Sequence, residues 1–159
     1  MRIPFLIVSL AALAACTVET MPVSTSSTPV TAAVPVASMQ DAGLNTLVNN
    51  FRASQGKGPL SQSASLTQAA TAHVQDMLSQ GYFSHTGQNG SSVGTRVRAA
   101  GCSWSGVAEN IAQGQATAQQ AMDTWINSSA HRANLVGPYT QFGTARVGNT
   151  WVLVFASGC

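Results

Sequence analysis

Charge is scarce in this chain. Only 8% of its 159 residues are Asp, Glu, Lys or Arg, and the formal net charge is +2. The basic residues are scattered, so the stripe of Lys and Arg that a nucleic-acid binder needs is missing. Compact metal motifs are missing as well: there is no H-E-x-x-H, and no cysteines stand as C-x-x-C. Neither Ser84 nor Ser128, the serines beside His85 and His131, sits in a G-x-S-x-G elbow, so the usual sequence sign of a serine hydrolase is missing next to those histidines. No internal repeat is evident. The marked apolar run, near the N-terminus, is too short to span a bilayer as a permanent helix.

That run has its own meaning. Met1 to Cys16 reads M-R-I-P-F-L-I-V-S-L-A-A-L-A-A-C, with one Arg, an apolar stretch, small residues and a cysteine. This is the layout of a secretory signal. Its end, Leu13-Ala14-Ala15-Cys16, resembles a bacterial lipobox, which implies cleavage before Cys16 and acylation of the thiol, as by palmitate. The alternative is a plain signal peptide cut nearby. A lipidated product is anchored to a membrane rather than spanning it. Thr17 lacks the Asp that, by resemblance to known sorting signals, retains a lipoprotein at an inner membrane. The expected location is therefore the cell envelope, at the outer membrane if there are two. Residues 16–38, rich in Ser, Thr, Pro, Val and Ala, bury too little to fold and read as a tether.

About 120 residues remain from Met39 onward, enough for one domain with a core. Little charge and much Ser, Thr, Gln, Asn and Gly suit an extracytoplasmic protein. With Cys16 assigned to lipid, Cys102 and Cys159 are left. An even pair in an oxidising compartment favours a disulfide, the alternative being two buried thiols.

Periodicity places a helix over residues 40–54, with Leu44, Leu47, Val48 and Phe51 inward and Asp41 as its cap. A second helix starts at Ser61 or Ser63 and stops at Gly81. His73 lies on or beside its apolar stripe and reads as an interior or boundary histidine. Residues 82–92 form a loop carrying His85, and a short helix follows to Ala100, with Val97 inward and Arg96 and Arg98 toward solvent. An edge strand is expected to begin at Cys102-Ser103-Trp104, and a short extended or turn segment over 107–113 carries Glu109. Thr117 caps a helix over 118–127, after which 128–135 leaves it. Strands at 142–147 and 150–156 flank the turn at Gly148-Asn149. Helices followed by late strands favour an α+β arrangement.

The chemistry lies between Tyr82 and Leu135. His85, Glu109 and His131 would hold a zinc ion at about 2.0–2.2 Å if the fold brought them together. They would equally serve as general acid and base, since histidine titrates near neutrality. The competing reading is bracing: Glu109 accepting backbone N–H groups, His131 and Arg132 meeting open helix carbonyls, and Asn110 and Asn134 supporting turns.

Several ordered motifs then carry a resemblance: Y-F-S-H at Tyr82 to His85 with G-x-N-G after it, A-E-N-I-A at Ala108 to Ala112, W-x-x-S-x-x-H-R-A-N-L at Trp125 to Leu135, and F-G-x-A at Phe142 to Ala145. Together they resemble the bacterial branch of the CAP superfamily, of cysteine-rich secretory, antigen 5 and pathogenesis-related proteins, whose domain is also called SCP. The resemblance spans Asp41 to Ala156. It implies a three-layer α-β-α sandwich with a small central antiparallel sheet, and a cleft that often holds two His and two acidic residues, binding zinc in some members. His85 and Glu109 match the first histidine and first glutamate of that cleft. Ser128 stands where the eukaryotic pattern has its second acid, and Pro138 where it has its second histidine. His131 belongs instead to the bacterial S-x-x-H-R-x-N pattern and would reach the cleft from another position. The implied cleft is lined by His85, Glu109, His131, Asn110 and Ser128. Its expected role is recognition of a lipid, glycan or envelope protein. The alternatives are a metal-assisted or general-base hydrolase, or a structural spacer.

Overall fold

The computed structural model describes residues 41–159. The leader, the lipidation site at Cys16 and all of the tether lie outside them. In chain order the elements are α1 (Ala42–Ser54), β1 (Ser61–Gln62), α2 (Ala64–Gln80), α3 (Val93–Ala99), β2 (Gly106–Gln113), α4 (Ala118–Ile126), α5 (Ser129–Leu135), β3 (Gln141–Val147) and β4 (Thr150–Ser157).

Short polar side chains set where the helices begin. Asp41 accepts from the Leu44 N–H, Ser63 from Leu66 and Ser92 from Thr95, each satisfying a donor that has no partner inside its helix. Thr117 and Gln120 form a reciprocal capping box at the start of α4. Gly81 ends α2 in the left-handed conformation, φ 68°, with its N–H on the Met77 carbonyl.

The sheet runs in the order β1-β3-β4-β2. The three main strands are antiparallel neighbours, and β1 adds a two-residue parallel pairing on the β3 edge, Ser61 opposite Gln141 and Gln62 opposite Phe142. β4 is central, and its side chains alternate between two apolar layers. Trp151, Leu153 and Phe155 join Leu44, Val48, Met122, Trp125 and Leu135 on the face covered by α1, α4 and α5. Val152, Val154 and Ala156 join Leu66, Ala70, Val74, Met77 and Val97 on the face covered by α2 and α3. This is the α-β-α sandwich expected from the motifs.

Three local expectations are corrected. Residues 102–104 are not a strand: Cys102 is tied to the end of α3, its N–H reaching the Val97 carbonyl, and Trp104 lies against α3, donating to the Gly94 carbonyl. Pairing starts only at Gly106, and 106–113 is a full eight-residue strand rather than a short segment. Residues 129–135 form a helix of their own, α5, whose end is held by a buried side chain from α1. Arg52 donates to the carbonyls of Gly58, Leu135 and Gly137 at 2.9, 2.8 and 3.0 Å. Cys102 and Cys159 form the disulfide.

Candidate functional site

β2 is an edge strand, and the alternation of its side chains decides what Glu109 and Asn110 can do. Glu109 points to the α2–α3 face and Asn110 to the α4–α5 face, as their neighbours Ile111 and Ala112 do in the two apolar layers. Glu109 is buried, with its side chain 1% exposed, yet it meets three nitrogen groups. Arg96 Nη2 on α3 donates to Oε2 at 2.8 Å, and His85 Nδ1 donates to Oε1 at 2.9 Å. His73 Nε2 on α2 stands 3.8 Å from Oε1. A buried carboxylate needs such partners, because an uncompensated charge there would be costly.

The His85 loop is pinned by the same groups. His73 Nε2 donates to the Ser84 carbonyl at 2.9 Å. Arg96 donates to the carbonyls of His85 and Ser91 at 3.0 and 2.9 Å. Tyr82 donates its hydroxyl to Asp76 Oδ2, closing the start of the loop against α2. Arg96, expected in solvent, is thus turned inward with its side chain 11% exposed.

These bonds fix protons. A carboxylate only accepts, so His85 carries its hydrogen on Nδ1, and in its neutral form Nε2 is a free lone pair. The His85 side chain is 53% exposed, so that lone pair is offered to whatever approaches. His73 has given its Nε2 hydrogen to Ser84, and its Nδ1 is buried without a partner. Burial pushes the His73 pKa down; the nearby Glu109 works against this and Arg96 with it. His73 is a neutral interior brace beneath the site.

His131 approaches from α5, on the other side of β2, and its ring centroid lies 6.5 Å from that of His85. Its pKa is lowered by burial first and by the neighbouring His85 second, and its Nδ1 is buried without a hydrogen-bond partner. Asn110 secures α5 from below: its Nδ2 donates to the His131 carbonyl at 3.0 Å and its Oδ1 accepts from Asn134 at 2.8 Å. Asn134 also reaches the Glu109 carbonyl, and Trp125 Nε1 the Ile111 carbonyl, so α4 and α5 cover the free edge of β2. Asn110, expected on the cleft wall, lies fully buried beneath it. Ser128 is the half-buried residue that starts α5, and its side chain makes no cap hydrogen bond.

The structure therefore brings His85, Glu109 and His131 to one place, and adds Arg96 and His73. The set does not fit a zinc ion. Both Glu109 oxygens already accept, one from a guanidinium whose charge opposes a divalent cation at that carboxylate. Among the described residues no group of three or more His, Cys, Asp or Glu is arranged to hold a metal. No hydroxyl or thiol among them hydrogen-bonds either exposed-side imidazole, so the arrangement holds an oriented base without a paired nucleophile. What it offers is an outward acceptor on His85 and a second imidazole across the strand.

Comparison with known proteins identifies the family and the fold. The CAP family, described as the cysteine-rich secretory protein family, matches residues 46–155. Protein YkwD of Bacillus subtilis (strain 168) is 35% identical over 112 residues, which are 69% of this chain and 44% of YkwD. The chain thus spans under half the length of that relative. The crystal structure of an extracellular protein containing a SCP domain from Bacillus anthracis str. Ames superimposes with a TM-score of 0.71 at 25% identity, covering 76% of this chain and 40% of that one. An outer surface protein from Borrelia burgdorferi shares the fold with a TM-score of 0.69 at 18% identity, covering 73% of this chain and 90% of that one.

Proposed function

The chain belongs to the cysteine-rich secretory protein (CAP) family, and from that premise we propose that it is a recognition module of the cell envelope. Its ligand, a lipid, glycan or envelope protein, docks at the surface shared by His85 and His131. The observation that carries this reading is the exposed His85 ring, held in one tautomer by a buried carboxylate that is itself held by Arg96. A side chain positioned this firmly, with its remaining nitrogen facing solvent, is prepared to accept a hydrogen bond from a ligand. His131, kept neutral by burial, supplies the second contact.

The location forms part of the same proposal. The lipobox-like L-A-A-C ending at Cys16 supports a lipid anchor, and the similarity to an extracellular SCP-domain protein supports export. Lipid-anchored display at an outer membrane, where there are two membranes, follows from Thr17 as the residue after the acylated cysteine.

The test is retention of the full-length chain on separated lipid, glycan and protein fractions of bacterial envelopes. The wild type should be retained by one fraction, with His85→Ala and His131→Ala each weakened about tenfold, as expected for loss of one ligand hydrogen bond. Equal retention of all three proteins on every fraction would sink the reading.

One feature favours a second reading. A carboxylate–imidazole pair with an outward Nε2 is also how a general base is oriented to take a proton from water. In that case His85→Gln should abolish turnover of an ester, peptide or glycan substrate that the wild type hydrolyses. A wild type inert across such a panel would remove this alternative.

A further inference from the structure

A cavity of about 350 Å³ opens on the β1 edge of the sheet, with β3 and β4 between it and the strand that carries Glu109. Its volume is at the low end of ligand pockets, ~300–1,000 Å³. One wall is α1, where Asn45 and Asn49 form one i, i+4 row and Thr46 and Asn50 the next. Gln62 on β1 faces them, and Phe142 lies beneath. No lining residue is charged, so the cavity has nothing to neutralise an ionic ligand.

The amides are not free to turn. Thr144 donates its hydroxyl to Asn45 Oδ1 at 2.9 Å, which directs the Asn45 Nδ2 hydrogens away from the sheet. Asn49 Oδ1 accepts from the Leu60 N–H at 2.9 Å and its Nδ2 donates to the Leu60 carbonyl at 3.1 Å, leaving one N–H. Two amide groups are thereby fixed as donors along one helix face. An extended peptide would be poorly served, because β1 has only two residues and Asn49 already holds both backbone groups of the residue before it. A compact, uncharged ligand rich in oxygen acceptors matches better.

We infer that this cavity is a binding site for an uncharged saccharide, held by hydrogen bonds from Asn45 and Asn49 with Asn50 and Gln62 at its rim. It is separate from the His85 surface and does not depend on it.

The experiment is titration of the isotope-labelled full-length chain with N-acetylchitotriose and maltotriose, followed by amide chemical shifts. Sialyllactose serves as the charged control and a Gly-Ser peptide as the polymer control. At least one neutral trisaccharide should shift the Asn45 and Asn49 side-chain signals at millimolar concentration. Asn45→Ala should bind about tenfold more weakly, the loss of one ligand hydrogen bond. Asn50→Trp, at an exposed position where the indole would fill the cavity, should abolish the shifts while the spectrum stays folded. His85→Ala should bind as the wild type does. The inference is overturned if no neutral saccharide perturbs α1, if shifts centre on His85, if Asn50→Trp binds unchanged, or if the peptide or charged sugar binds as well. Should Asn45→Ala fail to fold, Asn50→Trp decides.

Discussion

Glu109 sends its two oxygens to two different partners, and that division decides how single substitutions behave. Arg96 holds one oxygen and, through the same guanidinium, two carbonyls of the His85 loop. Arg96→Ala would leave a buried carboxylate half-compensated and is expected to cost roughly 3 kcal/mol, read as a lowered urea midpoint. Amide exchange over residues 84–91 should accelerate in the same variant. His73 makes a prediction about pH. Its folded pKa is lowered by burial, so the folded state binds fewer protons than the unfolded chain as the pH drops toward and below the ordinary histidine value of 6.5. Stability is therefore full above that pH and declines as the pH falls through and below it; His131 adds the same sign. In denaturation series taken at successively lower pH, His73→Gln should flatten the decline relative to wild type. At this scale His85 and Glu109 were legible because their local motifs are distinctive. Arg96 was not. It sits beside the inward Val97, and helical periodicity describes where a Cβ points rather than where a long guanidinium stem can fold back. His73 read correctly as interior, but nothing in its surroundings along the chain reveals that it holds the neighbour of His85.

Helix and sheet pack backbone against backbone where α2 crosses β3. A Cβ built at Gly143 would fall 2.2 Å from the Thr67 nitrogen and 2.3 Å from the Leu66 carbonyl carbon, both backbone atoms that cannot swing aside. Gly143→Ala must push the helix off the sheet and is expected to destabilise by about 3 kcal/mol, the upper part of the usual range for overpacking. Thermal unfolding would register it; a variant within experimental error of wild type would refute the close packing. The long helices and the β3–β4 hairpin were legible because each carries its own caps, apolar period and turn residues. β1 was not, since two residues hold no period and pair only because Ser61 and Ser63 find the Thr140 and Phe142 carbonyls. α5 was hidden for a similar reason. A seven-residue helix is marginal by itself, and the carbonyl at its end is met by Arg52, a residue far away in sequence.

For the whole molecule, the two sandwich layers and the covalent tie work together. The motif order implied an α-β-α sandwich, and the sheet provides one with its strands antiparallel apart from the short β1 pairing. The pairing of Cys102 with Cys159 was legible by counting once Cys16 was assigned elsewhere; the path of the enclosed chain was not. Replacing both cysteines by serine should cost about 4 kcal/mol from the chain entropy of a closed loop, the two ends standing 57 positions apart. A denaturant midpoint unchanged by the double substitution would show that the apolar layers alone carry the fold.

The same tie determines what a protease leaves behind. β2, α4, α5, β3 and β4 all lie inside the ring that Cys102 and Cys159 close. A cut at the exposed turn around Gly114 nicks this ring, so the product keeps its full mass on a non-reducing gel and separates into two pieces only after reduction. A cut in the His85 loop falls outside the ring, and denaturation alone parts the fragments. Susceptibility to fragment loss is thus unequal along the surface: damage to the C-terminal half is covalently contained, while the loop that bears His85 has no such tie.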